Sequence, residues 1–456
     1  MLAERPSVRD CVVTSLIVGV LALGVSLAVP LRASGGDTVP GRLGAATMAC
    51  TGHLDLGSVA WVRARASHGA LAYWARQRPT GEIVSSFGPT PAWMGALAML
   101  SIDRGALVGD RALVRRARYA ASASLGVSAS LLTLALLGLV SRRRAVLLTL
   151  GVVGSFAGAA SLGQALWQQT ALLPLLTGAL ASLAWGRRRS AWLVLTPALL
   201  IAALWVRPAA CGLVAGFALA TWSAFRQERL ARPHVLASLA LALVSVFVLT
   251  AVQVAVSGTW LPTGQWLANE AAAPGGYVLD PSPVHFVVAL AGLLVSPGRG
   301  VLIFAPIVLV ALATGIARAR ERSLSFWLAV GIGLHFVVCA LFWKWWGGIA
   351  FGPRLLAEVV WTAPLVIAAG APSATMDRAL VGALVVTMLV GALGAVRYDA
   401  RSWELRRDPD TDPSALWDPI DSPLAAISLR APPTEPLADA PAGPFVYCGT
   451  DGTTLR

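Results

Sequence analysis

The chain is a succession of long apolar runs separated by short polar links. Runs near 20 residues recur from Cys11–Leu31 to the last one at 379–397. Each is long enough, as a helix, to cross a hydrocarbon core of about 30 Å. The runs are continuous rather than alternating, so they predict helices and not the strands of a barrel. The predicted spans are 11–31, 119–140, 145–162, 171–186, 190–206, 209–225, 234–256, 301–317, 324–343, 355–371 and 379–397. The expected fold is an all-α polytopic membrane protein with about 11 transmembrane helices.

The first run is too long for the apolar core of an ordinary signal peptide, and Arg32 follows it. It is expected to stay as an uncleaved signal anchor. Pro89–Leu100 and Val284–Val295 are apolar but too short to span. They are expected as juxtamembrane helices, interfacial or re-entrant, on the outer face.

The polar links assign the sides. Arginines cluster at Arg142–Arg144, Arg187–Arg189, Arg226 to Arg232 and Arg318 to Arg322. With all four clusters on the cytoplasmic side, two spans separate each adjacent pair of the first three. The N-terminus is then cytoplasmic and the C-terminus extracytoplasmic. This divides the chain into a transmembrane domain at 1–397, with outer loops at 32–118 and 257–300, and an irregular tail at 398–456 rich in Pro and Asp.

Composition closes the soluble reading. The chain is 56% hydrophobic and 13% charged, against roughly 25% charged for a soluble domain, and its mean hydropathy is +0.70. The net charge of +13 does not point to nucleic acid. The arginines are dispersed at segment ends, as snorkelling and the positive-inside rule produce, and Lys344 is the single lysine. Membrane lipid is the expected partner. Tryptophans crowd the outer ends, where an aromatic belt forms. The cluster from Trp343 to Trp346 also reads as a stacking platform for a sugar ring.

Cys11, Cys211 and Cys339 fall within or at the ends of spans and read as buried thiols. Cys50 and Cys448 both fall outside, where an oxidising compartment would let them pair and tie the tail to the first loop. No Cys/His spacing suggests a metal site, and no cofactor is expected.

Three outer segments mix polar residues with turn residues. In the first, Ser34 to Arg42, Asp37 is either the cap of a short helix from Pro40 to Cys50 or a general base at a cavity mouth. His53, Asp55 and Glu82 follow as further polar candidates, with the turn Ser85–Pro89. In the second, Ser296-Pro297-Gly298-Arg299-Gly300 opens a helix, and Arg299 with free backbone N–H groups either suits a phosphate or is the interfacial arginine of a plain loop. In the third, Lys344 to Leu355, Arg354 precedes Glu358 by one helical turn. The two either form an i,i+4 ion pair or aim the arginine at an anionic headgroup. His335 lies mid-span and reads as a packing residue.

Taken in order, these segments resemble bacterial membrane glycosyltransferases of the GT-C class that use polyprenyl-phosphate-linked sugars. The resemblance rests on Gly36-Asp37-Thr38 after the first span, Gly52-His53-Leu54-Asp55-Leu56, Ser86-Phe87-Gly88-Pro89, and Ser296 to Gly300. It extends through Trp345-Trp346-Gly347-Gly348, Phe351-Gly352-Pro353-Arg354 and the tail phrase Leu416 to Ser422. The family's Pro-Pro-Gly turn reads Gly88-Pro89-Thr90 here, and no second acid follows Asp37 closely. The resemblance implies a multi-pass protein of the inner membrane with a polyprenyl-phosphate sugar donor and an unspecified acceptor. Asp37 is then the base of an inverting transfer. Arg354, Arg299 and Lys344 serve the phosphate, with Asp55, His53, Glu82, Trp346 and Glu358 as further substrate contacts. A lipid transporter or flippase, and a scaffold without activity, are the rival readings. A transporter needs polar residues at mid-membrane, and Gln253 and His335 are the deep candidates.

Overall fold

The computed structural model of the chain describes residues 7–31, 36–100, 107–108, 110–227, 232–262, 278–370, 374–398, 403, 407–429 and 446–447. Among them are 17 α-helices and two small two-stranded sheets. Six helices are long and apolar enough to cross a membrane: Val8–Ala28, Arg111–Leu137, Pro208–Gln227, Pro233–Ser257, Leu324–Leu341 and Thr375–Arg397.

The other predicted spans appear as shorter, interrupted or more polar helices. The 145–162 run is helical only over Arg142–Val153. Ser155 then takes over the backbone, accepting from Ala157 N–H and donating to the Val152 carbonyl at 2.6 Å. At Gly158 a Cβ would lie 2.1 Å from the Val153 carbonyl oxygen, so this tight turn admits no side chain. Carbonyls released by the break find side-chain donors: Trp361 reaches Ala157 and Thr170 reaches Leu162. In the 301–317 run Pro306 separates Val301–Phe304 from Ile307–Ala317. The 355–371 run begins as a 3-10 turn at Arg354–Leu356 and becomes α-helical over Ala357–Gly370. Gln168–Gly186 has 19 residues but carries two glutamines, two threonines and Pro174.

Small residues let the long helices approach closely. A Cβ at Gly19 would lie 2.7 Å from the Gly126 carbonyl oxygen, and one at Gly216 would lie 2.2 Å from the Gly331 Cα. Ser7 and Asp10 close a capping box at the start of Val8–Ala28. Buried Arg118 donates to the Ser26 and Leu27 carbonyls at its far end, at 2.7 and 2.8 Å. A cation there also suits the negative end of the helix dipole.

The segment after the first helix has a hydrophobic core of its own. Helices Val39–Thr51, Ala60–Ser67 and Thr90–Met99 and the hairpin Ala75–Gln77/Ile83–Ser85 bury Leu43, Leu56, Val62, Trp74 and Met99 between them. Thr90–Met99 has 10 residues and Pro283–Val295 has 13, about 15 and 20 Å at 1.5 Å per residue. Both fall short of a hydrocarbon core.

The described arginines of these clusters gather at one end of the bundle. Arg144 pairs with Asp377 at 2.7 Å, Arg188 donates to the Gly138 carbonyl, and Ser223 approaches the Arg322 carbonyl. Gln168–Gly186, Cys211–Gln227 and Ala357–Gly370 each run toward this end, and Leu324–Leu341 runs away from it. Their other ends meet the long loops, and there the tail docks. Leu416 carbonyl accepts from Ser296 Oγ at 2.5 Å and from Gly298 N–H at 3.2 Å. A second antiparallel pair joins Leu107–Val108 to Val446–Tyr447. Cys50 is disulfide-bonded, and its expected partner Cys448 lies outside the described residues.

Candidate functional site

A cavity of about 500 Å³ opens at the loop end of the bundle, opposite the arginine clusters. Asp37, Tyr73 and Phe87 reach it from the first loop. Trp167, Gln168 and Gln169 come from the start of one helix, and Arg207 from the end of another. The 342–355 segment contributes Trp343, Lys344 and Arg354, and the tail contributes Asp408 and Asp410.

Local chemistry explains these placements. The helix Val39–Thr51 starts at Thr38, with no side-chain cap. Asp37 is therefore not its N-cap, and the carboxylate turns away toward the cavity. Its Oδ2 lies 2.5 Å from Arg354 Nη2, and its Oδ1 accepts from the Tyr73 hydroxyl. Burial pushes the Asp37 carboxyl up, but the Arg354 guanidinium, the Tyr73 hydroxyl and Lys344 outweigh it. The group is held below the ordinary carboxylate range. Burial first, and the Asp37 charge next, push the Tyr73 hydroxyl up, so it stays protonated and donates.

Arg354 reaches Asp37 because the chain before it reverses sharply. Gly347 and Gly352 sit at φ 76° and 74°, in the left-handed region that a side chain disfavours. A Cβ on Gly352 would also lie 2.9 Å from Phe304. The Arg354 guanidinium lies 4.3 Å from the Trp167 ring centroid and donates to the Gly347 carbonyl at 2.5 Å. A stacked, doubly bonded guanidinium of this kind is oriented and not free to wander.

The expected pairing of Arg354 with Glu358 does not form. Arg354 belongs to a 3-10 turn, and the α-helix carrying Glu358 starts after it, so the two are not one α-turn apart on one face. Glu358 is wholly buried and pairs instead with Arg207, Nε to Oε1 at 2.6 Å. Arg207 precedes Pro208, which pushes it out of the helix to φ −148°. Set on the hydrogen-bond network, the Gln169 amide oxygen accepts from Arg207 Nη1 and Nη2 at 3.0 and 3.2 Å. His335 is also fully buried, with Nε2 donating to the Leu355 carbonyl at 2.9 Å. It packs helices together, and Gln253 bonds locally to Thr259.

Several sequence candidates stand elsewhere. Arg299 is fully buried and does not line the cavity. Its guanidinium donates to the carbonyls of Trp346, Gly298 and Gly348, each at 3.0 Å, and lies 5.4 Å from the Trp403 ring centroid. It braces the 344–352 turn and presents no phosphate face. Asp55 accepts from the N–H groups of Gly57 and Ile83 at 2.8 and 2.9 Å and locks the first loop. Glu82 pairs with Arg78 at 2.6 Å, and His53 is exposed; neither lines the cavity. Trp345 and Trp346 are buried, with Trp346 Nε1 donating to Asp410 at 3.0 Å, so Trp343 is the indole of this cluster that faces the cavity.

Lys344 pairs with Asp410 across the rim. Arg407 holds that part of the tail, with Asp412 and Asp418 each at 2.8 Å. Arg207, Tyr73, Gln169 and Asp410 were not singled out from the sequence. Arg207 carried a signal: an arginine between two apolar runs, on the side away from every arginine cluster, departs from the charge rule.

No family model matches the chain, and no curated protein matches it. Among solved structures the chain is similar to the Archaeoglobus fulgidus oligosaccharyltransferase in its complex with zinc and sulfate, at 13% identity and a TM-score of 0.39. The alignment covers 93% of this chain and 58% of that one, so the chain spans less than two thirds of that protein's length.

Proposed function

We propose that the protein transfers a sugar from a polyprenyl-phosphate-linked donor to a lipid, glycan or protein acceptor, at the outer face of the cytoplasmic membrane. The observation that carries this reading is the cavity where Asp37 and Arg354 meet. Three carboxylates, three cations and an aromatic face line one concave site at the loop end of a membrane bundle. About eleven passes, with the N-terminus inside, would put that end outside.

The chemistry needs little more than these groups. The acceptor hydroxyl oxygen attacks the sugar C1 from the face opposite the phosphate. The C1–O bond to phosphate breaks, the lipid phosphate leaves with the electron pair, and the acceptor proton passes to Asp37. Arg354 and Lys344 offset the charge growing on the phosphate. A carboxylate clamped by arginine is a weak base, because its lowered pKa reduces its proton affinity. When the phosphate draws Arg354 away, Asp37 regains basicity as the leaving group arrives.

The test is transfer by purified, reconstituted protein from a panel of radiolabelled polyprenyl-phosphate hexoses and pentoses. Wild type is expected to release sugar from one of them. Asp37→Asn is expected to abolish release with its thermal transition kept. Full activity in that variant, or none in wild type across the panel, would overturn the reading.

A further inference from the structure

Three cations line the cavity: Arg207, Lys344 and Arg354. Lys344 is paired with Asp410 and Arg354 with Asp37, and both of those carboxylates line the cavity too. An anion approaching either cation must displace a carboxylate from its path. Arg207 differs. Its partner Glu358 is 0% exposed and is not part of the lining. Among the described residues, Arg207 is the cavity cation whose counter-charge stands outside the cavity.

Arg207 also stands beside an uncapped helix start. The helix Gln168–Gly186 begins at Trp167 with no side-chain cap, and Trp167, Gln168 and Gln169 all line the cavity. The Trp167 N–H donates to the Ala165 carbonyl at 3.0 Å, the next amides of the first turn lack intrahelical acceptors, and the dipole there favours negative charge. Trp167 is 4% exposed and its indole N–H has no acceptor. Arg207 and this helix start line the same cavity. A cation whose counter-charge stands outside the cavity, together with the positive end of a helix dipole, suits an oxyanion.

We infer that Arg207, with the Gln168–Gly186 helix start, forms the inner seat for a prenyl-linked phosphate, a diester in the sugar donor and a monoester in the released carrier. Gln169 and Glu358 are its positioning residues. Glu358 offsets the buried charge, and Gln169 fixes the plane of the fork, so the guanidinium is oriented before any ligand arrives. The inference deepens the glycosyl-transfer reading and rests on it: the inner seat holds the donor's phosphate, with Arg354, stacked on Trp167, beside it and Lys344 at the rim.

The test is calorimetric binding to the full chain in detergent, with farnesyl phosphate, farnesol and inorganic phosphate as probes. Wild type should bind farnesyl phosphate about tenfold or more tightly than farnesol, as one charge-assisted hydrogen bond would give. Arg207→Gln combined with Glu358→Gln removes both buried charges together and should lose that preference. Gln169→Glu keeps side-chain shape, sets a carboxylate against Arg207, and should weaken farnesyl phosphate by about tenfold or more with its thermal transition kept. Competition by inorganic phosphate would mark a free-anion seat, and its failure a lipid-headgroup seat; loss in the variants supports the assignment in either case. A folded variant of either kind that binds within about twofold of wild type overturns the inner seat and leaves the transfer reading standing. Equal wild-type binding of farnesyl phosphate and farnesol overturns both.

Discussion

Asp37 and Arg354 stand far apart in the chain and form an ion pair of 2.5 Å on the cavity wall. The pair joins the first long loop to the turn that begins the Ala357–Gly370 helix. It is partly exposed, at 29% for Asp37 and 9% for Arg354, so its contribution is modest, on the order of 1 kcal/mol.

The sign of its pH dependence follows. The folded state holds Asp37 below its ordinary value, so the stabilisation is full above the unfolded value, about 3.9. It is lost as pH falls through the lower folded value. Asp412 and Asp418 are lowered too, by the Ser414 hydroxyl and the Asp421 N–H first and then by Arg407, and they add the same trend. The difference in thermal transition between wild type and Asp37→Asn isolates the one carboxylate. That difference should shrink as the pH drops below about 4. Tyr73→Phe removes a donor that lowers the Asp37 pKa, so the loss should begin at higher pH in that variant. A difference that does not change with pH would show that the pair does not hold the two segments together.

Arg207 and Glu358 give a sharper contrast, because both side chains are almost wholly buried, at 3% and 0% exposed. Removing one partner leaves an uncompensated charge in a low-dielectric site. Glu358→Ala should destabilise by about 3–5 kcal/mol. Glu358→Gln together with Arg207→Gln should cost less than Glu358→Ala alone, since no charge is left unpaired. Chemical unfolding in detergent measures both. A double variant less stable than the single one would show that the pair is net stabilising.

Much of this arrangement was legible in the sequence, and the gaps have physical causes. Apolar runs mark where six long apolar helices lie, because run length responds to a bilayer's one-dimensional profile. Interruptions in the 145–162 and 301–317 runs depend on what accepts the freed carbonyls, and those partners, Trp361 and Thr170 among them, come from other helices. Asp37 and Arg354 stood out because polar residues between glycines at a membrane boundary are conspicuous. Their pairing did not, since nothing local links the two segments. Glu358 was assigned to its helical neighbour by spacing, and the 3-10 turn at Arg354–Leu356 undid that spacing. Arg299 had the right composition for a phosphate turn. Its side chain faces inward because three carbonyls of the Gly298 and 346–348 backbone need donors.

The role given to Arg299 is testable by a conservative change. Lysine keeps the charge but replaces a planar fork by a single ammonium. It cannot serve the Trp346, Gly298 and Gly348 carbonyls together. Arg299→Lys should cost about 1.5–3 kcal/mol for each charge-assisted bond lost, and hydrogen exchange should speed up across 344–352. Unchanged exchange there, with weaker phosphate binding instead, would return Arg299 to the ligand site.

Arg407 tests whether the tail belongs to the cavity. It joins Asp412 and Asp418 at 2.8 Å each, and Asp421 lies at 3.8 Å. Five residues or fewer separate Asp410, the partner of Lys344, from Arg407 and Asp412. The hub is accessible to solvent, so global stability should barely change on Arg407→Gln. The local effect should be larger. Without the arginine, three carboxylates repel, and the 407–421 turn loses the fork that sets its path. Asp410 is then no longer held over Lys344 and Trp346 Nε1. Limited proteolysis should cut this segment faster in Arg407→Gln than in wild type. Adding farnesyl phosphate should speed cutting in wild type as well, if the ligand competes with Asp410 for Lys344. Equal cutting of the two proteins would show that the tail turn is held by Leu416 docking on Ser296 and Gly298, and that Arg407 is dispensable for it.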